Sequence, residues 1–181
     1  LGLSSYLDGA RLFNAAAASG RSLAELAAPF DVVSVALSKG LGCPVGSLVA
    51  GRKADIARAV RARRMFGGSM RQSGILAAAG LYALDHNMTR LPEDHANARL
   101  LAERLAGTAA EIDLATVQSN IVIFRVPAPL PDAAAVVRAA QQHGVLVSAF
   151  AARTVRAVTH LNVDAAQCRR AADVLVAILG S

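Results

Sequence analysis

The chain has no tryptophan, only 4% aromatic residues, two cysteines and two lysines, and each scarcity excludes something. Without aromatic side chains to stack on bases, and with no recognisable nucleic-acid-binding module, a nucleic-acid partner is not expected despite the net charge of +6. Cys43 and Cys168 stand alone, in neither a metal-ligand spacing nor a disulfide framework, so no metal is expected and a reducing cytoplasm is the simpler setting. No apolar run reaches the roughly 18 residues of a membrane span, and the first residues lack the charged-then-apolar pattern of a signal peptide, so no membrane partner is expected. With so few aromatics, the core has to be built from Ala, Val and Leu, which suits helices packed tightly on a sheet.

What is present is a globular composition: 181 residues, 54% hydrophobic, enough for one large domain or one and a half. The positive charge comes almost entirely from arginine. Its densest cluster, Arg52, Lys53, Arg58, Arg61, Arg63 and Arg64, falls on a helix opening near Asp55. A solvated or inter-subunit face and the rim of an anion site are both open readings for it.

Lys39 is therefore conspicuous. It ends the apolar, β-branched stretch Asp31-Val32-Val33-Ser34-Val35-Ala36-Leu37-Ser38, and glycines follow at 40, 42 and 46. A lysine after a strand is ordinarily a surface residue. Unlike arginine, though, it can lose its proton and form a Schiff base with an aldehyde. Open α/β sheets hold ligands at the carboxyl ends of their strands, where this amine is delivered. The glycines allow backbone to approach a flat ring or a phosphate closely.

Taken in order, Leu3 to Leu7 reads as a strand, followed by Asp8-Gly9-Ala10-Arg11 on a tight turn and a helix from Leu12 to Ala18. The plain reading of that tetrapeptide is a helix cap with a local ion pair. A short helix Leu23 to Ala28 precedes the strand Val32 to Leu37, and a further strand, Val45 to Ala50, follows too closely for an intervening helix, which predicts an antiparallel pair. Helices are predicted over Arg52 to Arg64, Gln72 to Asn87 and Pro92 to Leu105, with Arg71 at the anion-favouring start of the second. From about Thr108 the pattern becomes a small α+β layer. Its predicted strands are Glu111 to Val117, Ile121 to Val126, Val145 to Ser148 and Arg156 to Thr159, with helices Pro131 to His143 and Asp164 to Leu179.

Four segments together resemble the low-specificity L-threonine aldolases: Leu7-Asp8-Gly9-Ala10-Arg11-Leu12-Phe13-Asn14, Leu37-Ser38-Lys39-Gly40-Leu41-Gly42-Cys43-Pro44-Val45-Gly46-Ser47, the stretch from Gly67-Gly68-Ser69-Met70-Arg71-Gln72 to Gly80, and Val155-Arg156-Ala157-Val158-Thr159-His160-Leu161-Asn162-Val163. The resemblance implies an α/β chain of the aspartate-aminotransferase-like fold, fold type I of the pyridoxal-phosphate enzymes. Residues 1–85 would be the C-terminal part of the cofactor-binding large domain, and 86–181 a linking helix and the small α+β C-terminal domain. It implies pyridoxal 5′-phosphate as cofactor, held covalently by Lys39, with Asp8 on the pyridine nitrogen and Arg71 near the phosphate, where Arg64 would line the same entrance. Arg11 and Arg156 would bind the carboxylate of the amino-acid substrate. The implied reaction is retro-aldol cleavage of L-threonine or L-allo-threonine to glycine and acetaldehyde, by a homo-oligomer. His160 is close enough in sequence to Arg156 to be weighed as a site residue, but a structural role is expected of it.

Ser69 stands where that family commonly has a third glycine, and Asn162 where it commonly has an aspartate. The family's cofactor-stacking histidine and main phosphate loop lie upstream of the Asp8 strand, and the chain opens on Leu1 already heading into that strand. Upstream sequence is therefore expected, and the 181 residues alone are expected to bind cofactor weakly and to lack aldolase activity. Two other readings stay open: a β-eliminating lyase of the same fold type, and a non-catalytic basic binding module.

Overall fold

A computed structural model describes residues 2–180. The chain divides into two compact units, Leu1–Leu91 and Pro92–Ser181. In the first, strand β1 (Tyr6–Gly9) leads through helices α1 (Leu12–Ser19) and α2 (Leu23–Ala27) to β2 (Val32–Ala36), and β3 (Ser47–Gly51) follows. The crossover makes β1 and β2 parallel, while β2 and β3 form the expected antiparallel pair, giving the order β1-β2-β3.

Local chemistry sets these boundaries. The alanine run of α1 ends at Gly20, whose φ of 69° is the left-handed conformation that closes a helix cheaply, its N–H donating to the Ala16 carbonyl. A reciprocal cap opens α2, with the Glu25 N–H donating to the Ser22 hydroxyl and the Ser22 N–H to the Glu25 carboxylate. The Ser22 hydroxyl also bonds that carboxylate and is the main reason the Glu25 pKa falls below its ordinary value. Asp31 ties the starts of the two parallel strands together by accepting from the Ser5 N–H at 2.9 Å, and Arg52 pairs with it at 3.2 Å.

Helices α3 (Lys53–Met65) and α4 (Gly74–His86) complete the unit. In α3 the basic cluster stays exposed and Asp55 is bracketed by Arg52 and Arg58. The core consists of Phe13, Leu37, Leu41, Cys43, Ala83 and Leu91, the last being the first residue of α5 (Leu91–Leu105).

The second unit is a three-stranded antiparallel sheet, β4 (Ile121–Arg125), β6 (Thr154–Val158) and β5 (Ser148–Ala151) in that spatial order, with helices α6 (Ala133–Gln142) and α7 (Ala165–Leu179). Apolar residues at helical spacing, Val136 and Ala140 on α6 and Cys168, Ala172, Leu175 and Leu179 on α7, are buried, as are the inward strand residues Val122, Phe124, Val155 and Ala157. Asp132 and Asp164 cap the two helices through the Ala135 and Gln167 N–H groups.

Three sequence expectations are corrected. Glu111 to Val117 is not a strand: only Glu111 bridges to Arg125, and Leu114–Thr116 is a 3-10 turn. There the Asp113 carboxylate accepts the Ala115 N–H and the Thr116 hydroxyl donates to the Asp113 carbonyl, so local bonds replace a ladder. The strand expected at Val145 to Ser148 begins at Ser148 instead, and the last strand starts at Thr154, because Ala152 and Arg153 turn the chain into a hairpin.

Two glycines give a test of the first unit. A Cβ at Gly9 would lie 2.5 Å from the Ser34 carbonyl oxygen of the neighbouring strand, whereas at Gly74, which opens α4, it would meet nothing within 4 Å. Gly9→Ala is expected to destabilise by about 1–3 kcal/mol, as overpacking does, and Gly74→Ala to be neutral or stabilising by up to about 1 kcal/mol. Urea unfolding of the two variants checks the order, and equal midpoints would refute the packing argument.

Candidate active site

The parallel pairing of β1 and β2 fixes what the site can be. Asp8 lies opposite Ser34, with Tyr6 on the same face: the Tyr6 hydroxyl donates to the Ser34 hydroxyl at 2.6 Å. Leu7, Gly9, Val33 and Val35 alternate to the other face. Because the strands run the same way, Asp8 near the end of β1 and Lys39 three residues beyond β2 both belong to the carboxyl edge of the sheet. Both side chains are exposed.

Exposure of Lys39 does not mean that its backbone is loose. The Leu37 N–H donates to the Gly46 carbonyl, the Cys43 N–H to the Leu37 carbonyl, and the Gly42 N–H to the Lys39 carbonyl, all within 2.9–3.0 Å. Gly42 and Gly46 take φ values of 70° and 129°, which a residue with a Cβ adopts only under strain. Beneath the lysine, a Cβ on Gly40 would come 2.6 Å from the Asn14 side-chain oxygen and 2.9 Å from Leu91, both of them buried. Leu41 is fully buried, and its carbonyl accepts the Asn87 side-chain N–H at 2.8 Å from the end of α4. The Cys43 thiol reaches the Ala79 carbonyl of the same helix at 3.6 Å, and burial pushes its pKa up, so it is a packing group here and not a nucleophile. The amine thus projects from a loop held on both sides.

Arg11 begins α1, its carbonyl accepting the Ala15 N–H at 3.0 Å, and its side chain is half-buried three residues from Asp8. The Asp8 carboxylate accepts the Ala10 N–H at 3.1 Å, which closes the turn between them. Arg71 is exposed in the turn before α4, beside Gln72, a non-glycine residue with a left-handed φ of 50°. Arg64 is exposed in the last turn of α3.

Arg156 belongs to the second unit, at the middle of the central strand β6, with Ile123 and Ser148 opposite it on either side. Its Nε is buried and has no hydrogen-bond partner among the described residues. His160 lies at the exposed turn after β6, where its Nδ1 accepts the Asn162 N–H at 3.3 Å.

Sequence reasoning missed Asn14 and Asn87, which brace the lysine loop from helices distant in sequence, and Phe150, whose ring faces Arg156. Nothing local marks any of the three. Asn14 and Asn87 sit in helical stretches where a polar residue ordinarily faces water.

The residues present fit a pyridoxal phosphate. An exposed primary amine and an exposed carboxylate share one sheet edge, and the backbone under the amine approaches its neighbours so closely that no side chain fits at Gly40.

The family model for beta-eliminating lyases matches residues 1–128. The chain is 47% identical over 165 residues to the low specificity L-threonine aldolase of Escherichia coli (strain K12), covering 91% of this chain and 48% of that protein. It is 44% identical over 124 residues to the low-specificity L-threonine aldolase 1 of Arabidopsis thaliana, covering 68% of this chain and 35% of that one. The chain thus spans about half the length, or less, of these curated relatives. Among solved structures, a Listeria monocytogenes protein assigned as an L-allo-threonine aldolase superposes with a TM-score of 0.78 at 23% identity, covering 98% of this chain and 52% of that one, which establishes the shared fold. With the family model spanning both the Asp8 turn and the Lys39 loop, the chain belongs to the beta-eliminating lyase family.

Proposed function

We propose that this chain carries the cofactor-anchoring lysine, its carboxylate partner and the substrate-carboxylate arginines of a pyridoxal-phosphate-dependent aldehyde-lyase. The reaction is cleavage of L-threonine or L-allo-threonine to glycine and acetaldehyde. The observation that carries it is the pairing of β1 with β2, which sets the Asp8 carboxylate and the Lys39 amine on one sheet edge. The names of the relatives support the aldol reaction over other chemistries of the family.

Pyridoxal 5′-phosphate, when bound, supplies the electron sink that stabilises negative charge at the substrate Cα. The chain's own residues do the rest. Lys39 would offer the amine that holds the cofactor, Asp8 would pair with its pyridine nitrogen and favour the protonated form, and Arg71 would contribute positive charge for its phosphate. Arg11 and Arg156 take the substrate carboxylate, where a planar guanidinium gives two parallel hydrogen bonds and so fixes the rotation about the Cα bonds. With the carboxylate held, the Cα–Cβ bond would break as the β-hydroxyl proton passes to a base, acetaldehyde would leave, and Cα would take a proton to become glycine. The setting we propose is cytoplasmic, in a homo-oligomer; among the described residues no helix is long and apolar enough to cross a membrane.

The family description favours one second reading, β-elimination. Product analysis separates the two: stoichiometric glycine and acetaldehyde from L-threonine supports the aldol assignment, and ammonia with a 2-oxo acid from a β-substituted amino acid supports elimination.

Substitutions at two positions in the protein carrying this chain test the residue roles. Lys39→Ala is expected to abolish the visible absorbance of bound cofactor, and borohydride reduction of the parent protein followed by peptide mapping is expected to mark Lys39. Labelling at Lys53 would overturn the assignment. Arg156→Ala is expected to keep the cofactor absorbance while costing about 2–5 kcal/mol in kcat/KM, the usual consequence of leaving a charged partner unpaired. Arg156→Lys should recover little of that loss, since a point charge does not replace the fork. Near-normal kcat/KM in either arginine variant removes Arg156 from the site.

A further inference from the structure

Arg156 has an unusual neighbour. The guanidinium carbon lies 5.6 Å from the centroid of the Phe150 ring, within cation–π range. Phe150 is 61% exposed, so its ring is not retained there to fill a core. The backbone also singles it out. On the β5–β6 ladder Ala149 pairs with Val155 and Ala151 with Thr154, so Phe150 is the extra residue of an irregularity and has no cross-strand partner. Ser148 lies directly opposite Arg156, so strand alternation already puts Phe150, two residues on, on the arginine's face of the sheet, and the irregularity leaves it there with no residue opposite.

An aromatic face differs from a carboxylate as a partner for this arginine. A carboxylate would hold the guanidinium by occupying its N–H groups and cancelling its charge, and would compete with any anionic ligand. A ring restrains the plane of the guanidinium from its face and leaves the in-plane donors and the positive charge available. The buried Nε, with no hydrogen-bond partner among the described residues, shows that the contact does not consume that donor. A side chain already restrained loses less freedom when it binds its ligand.

We propose that Phe150 is a positioning residue for Arg156: its ring, on the same face of the sheet and without a cross-strand partner, holds the guanidinium ready for a substrate carboxylate. The inference rests on the reading of Arg156 as the carboxylate ligand. Exposed cation–π contacts are modest, so removing the ring is expected to weaken carboxylate binding about two- to fivefold and not to abolish it.

The test uses the cofactor-loaded protein carrying this chain, with glycine as the probe, and compares Phe150→Leu, Phe150→Tyr and Arg156→Lys. Phe150→Leu is expected to weaken glycine binding and kcat/KM for L-threonine by about two- to fivefold with an unchanged melting temperature. It should also shift the Arg156 Nε–Hε nuclear magnetic resonance signal as the ring current is lost. Phe150→Tyr, which keeps the aromatic face, should restore both affinity and signal. If Phe150→Leu binds glycine normally while Arg156→Lys does not, the positioning role is overturned and the carboxylate reading stands. Normal glycine binding by Arg156→Lys as well would bring down the carboxylate reading and this inference with it.

Discussion

In the proposed site the first unit has one constraint to meet: a lysine amine has to stand at the surface while the backbone that carries it stays fixed. A loop fully exposed to solvent cannot do this, because its amide groups find no permanent partners. Here the two residues after the lysine, Gly40 and Leu41, are buried, and the loop's own carbonyls at Leu37, Lys39 and Gly46 accept backbone N–H groups from within the loop. The absence of a side chain at Gly40 lets Asn14 of α1 and Leu91 of α5 close in beneath it. Helix α4 adds a hydrogen bond from Asn87 to the Leu41 carbonyl. The amine's position is thus set by three helices and a strand. Each supporting contact is a hydrogen bond or a packing contact whose loss would loosen the loop, with Lys39 itself untouched.

How much of this was legible in the sequence follows from the range of the forces involved. The strand into Lys39, the antiparallel return at β3 and the caps at Asp164 and Gly20 all reflect interactions among residues a few positions apart, and each left a pattern in the chain. The capping box at Ser22 and Glu25 is equally local. Asp8 and Lys39 could be linked only through a family resemblance, because periodicity does not reveal that two strands separated by two helices will lie side by side in parallel. The braces Asn14 and Asn87 were illegible for the same reason.

The errors in the second unit have a different origin. Glu111 to Val117 has strand-like composition, but Asp113 and Thr116 are residues whose side chains compete for backbone groups, and they won. The displacement of β5 from Val145 to Ser148 comes from the tight Ala152-Arg153 turn, which pairs the residues just before it with those just after and leaves Val145 outside the ladder. That hairpin also determines which residues can reach Arg156. A strand drawn over Val145 to Ser148 would have excluded Phe150 from the sheet, and with it the contact to Arg156.

The two charged residues that matter most show why a basic chain uses lysine so sparingly. Guanidinium stays protonated at any pH the protein meets, so it is unable to form a covalent bond to an aldehyde, but it presents several donors in one plane. Ammonium is the reverse: a single rotatable point of charge, poor at fixing the orientation of a ligand, yet able to become a nucleophile. Lys39 sits on a braced loop, where direction comes from the backbone and the side chain needs only reactivity. Arg156 sits on a central strand, and in the proposed reading its side chain itself supplies direction, with the ring 5.6 Å away restraining it without neutralising it. Exchanging the two residue types would therefore preserve the net charge of the chain and remove both proposed roles.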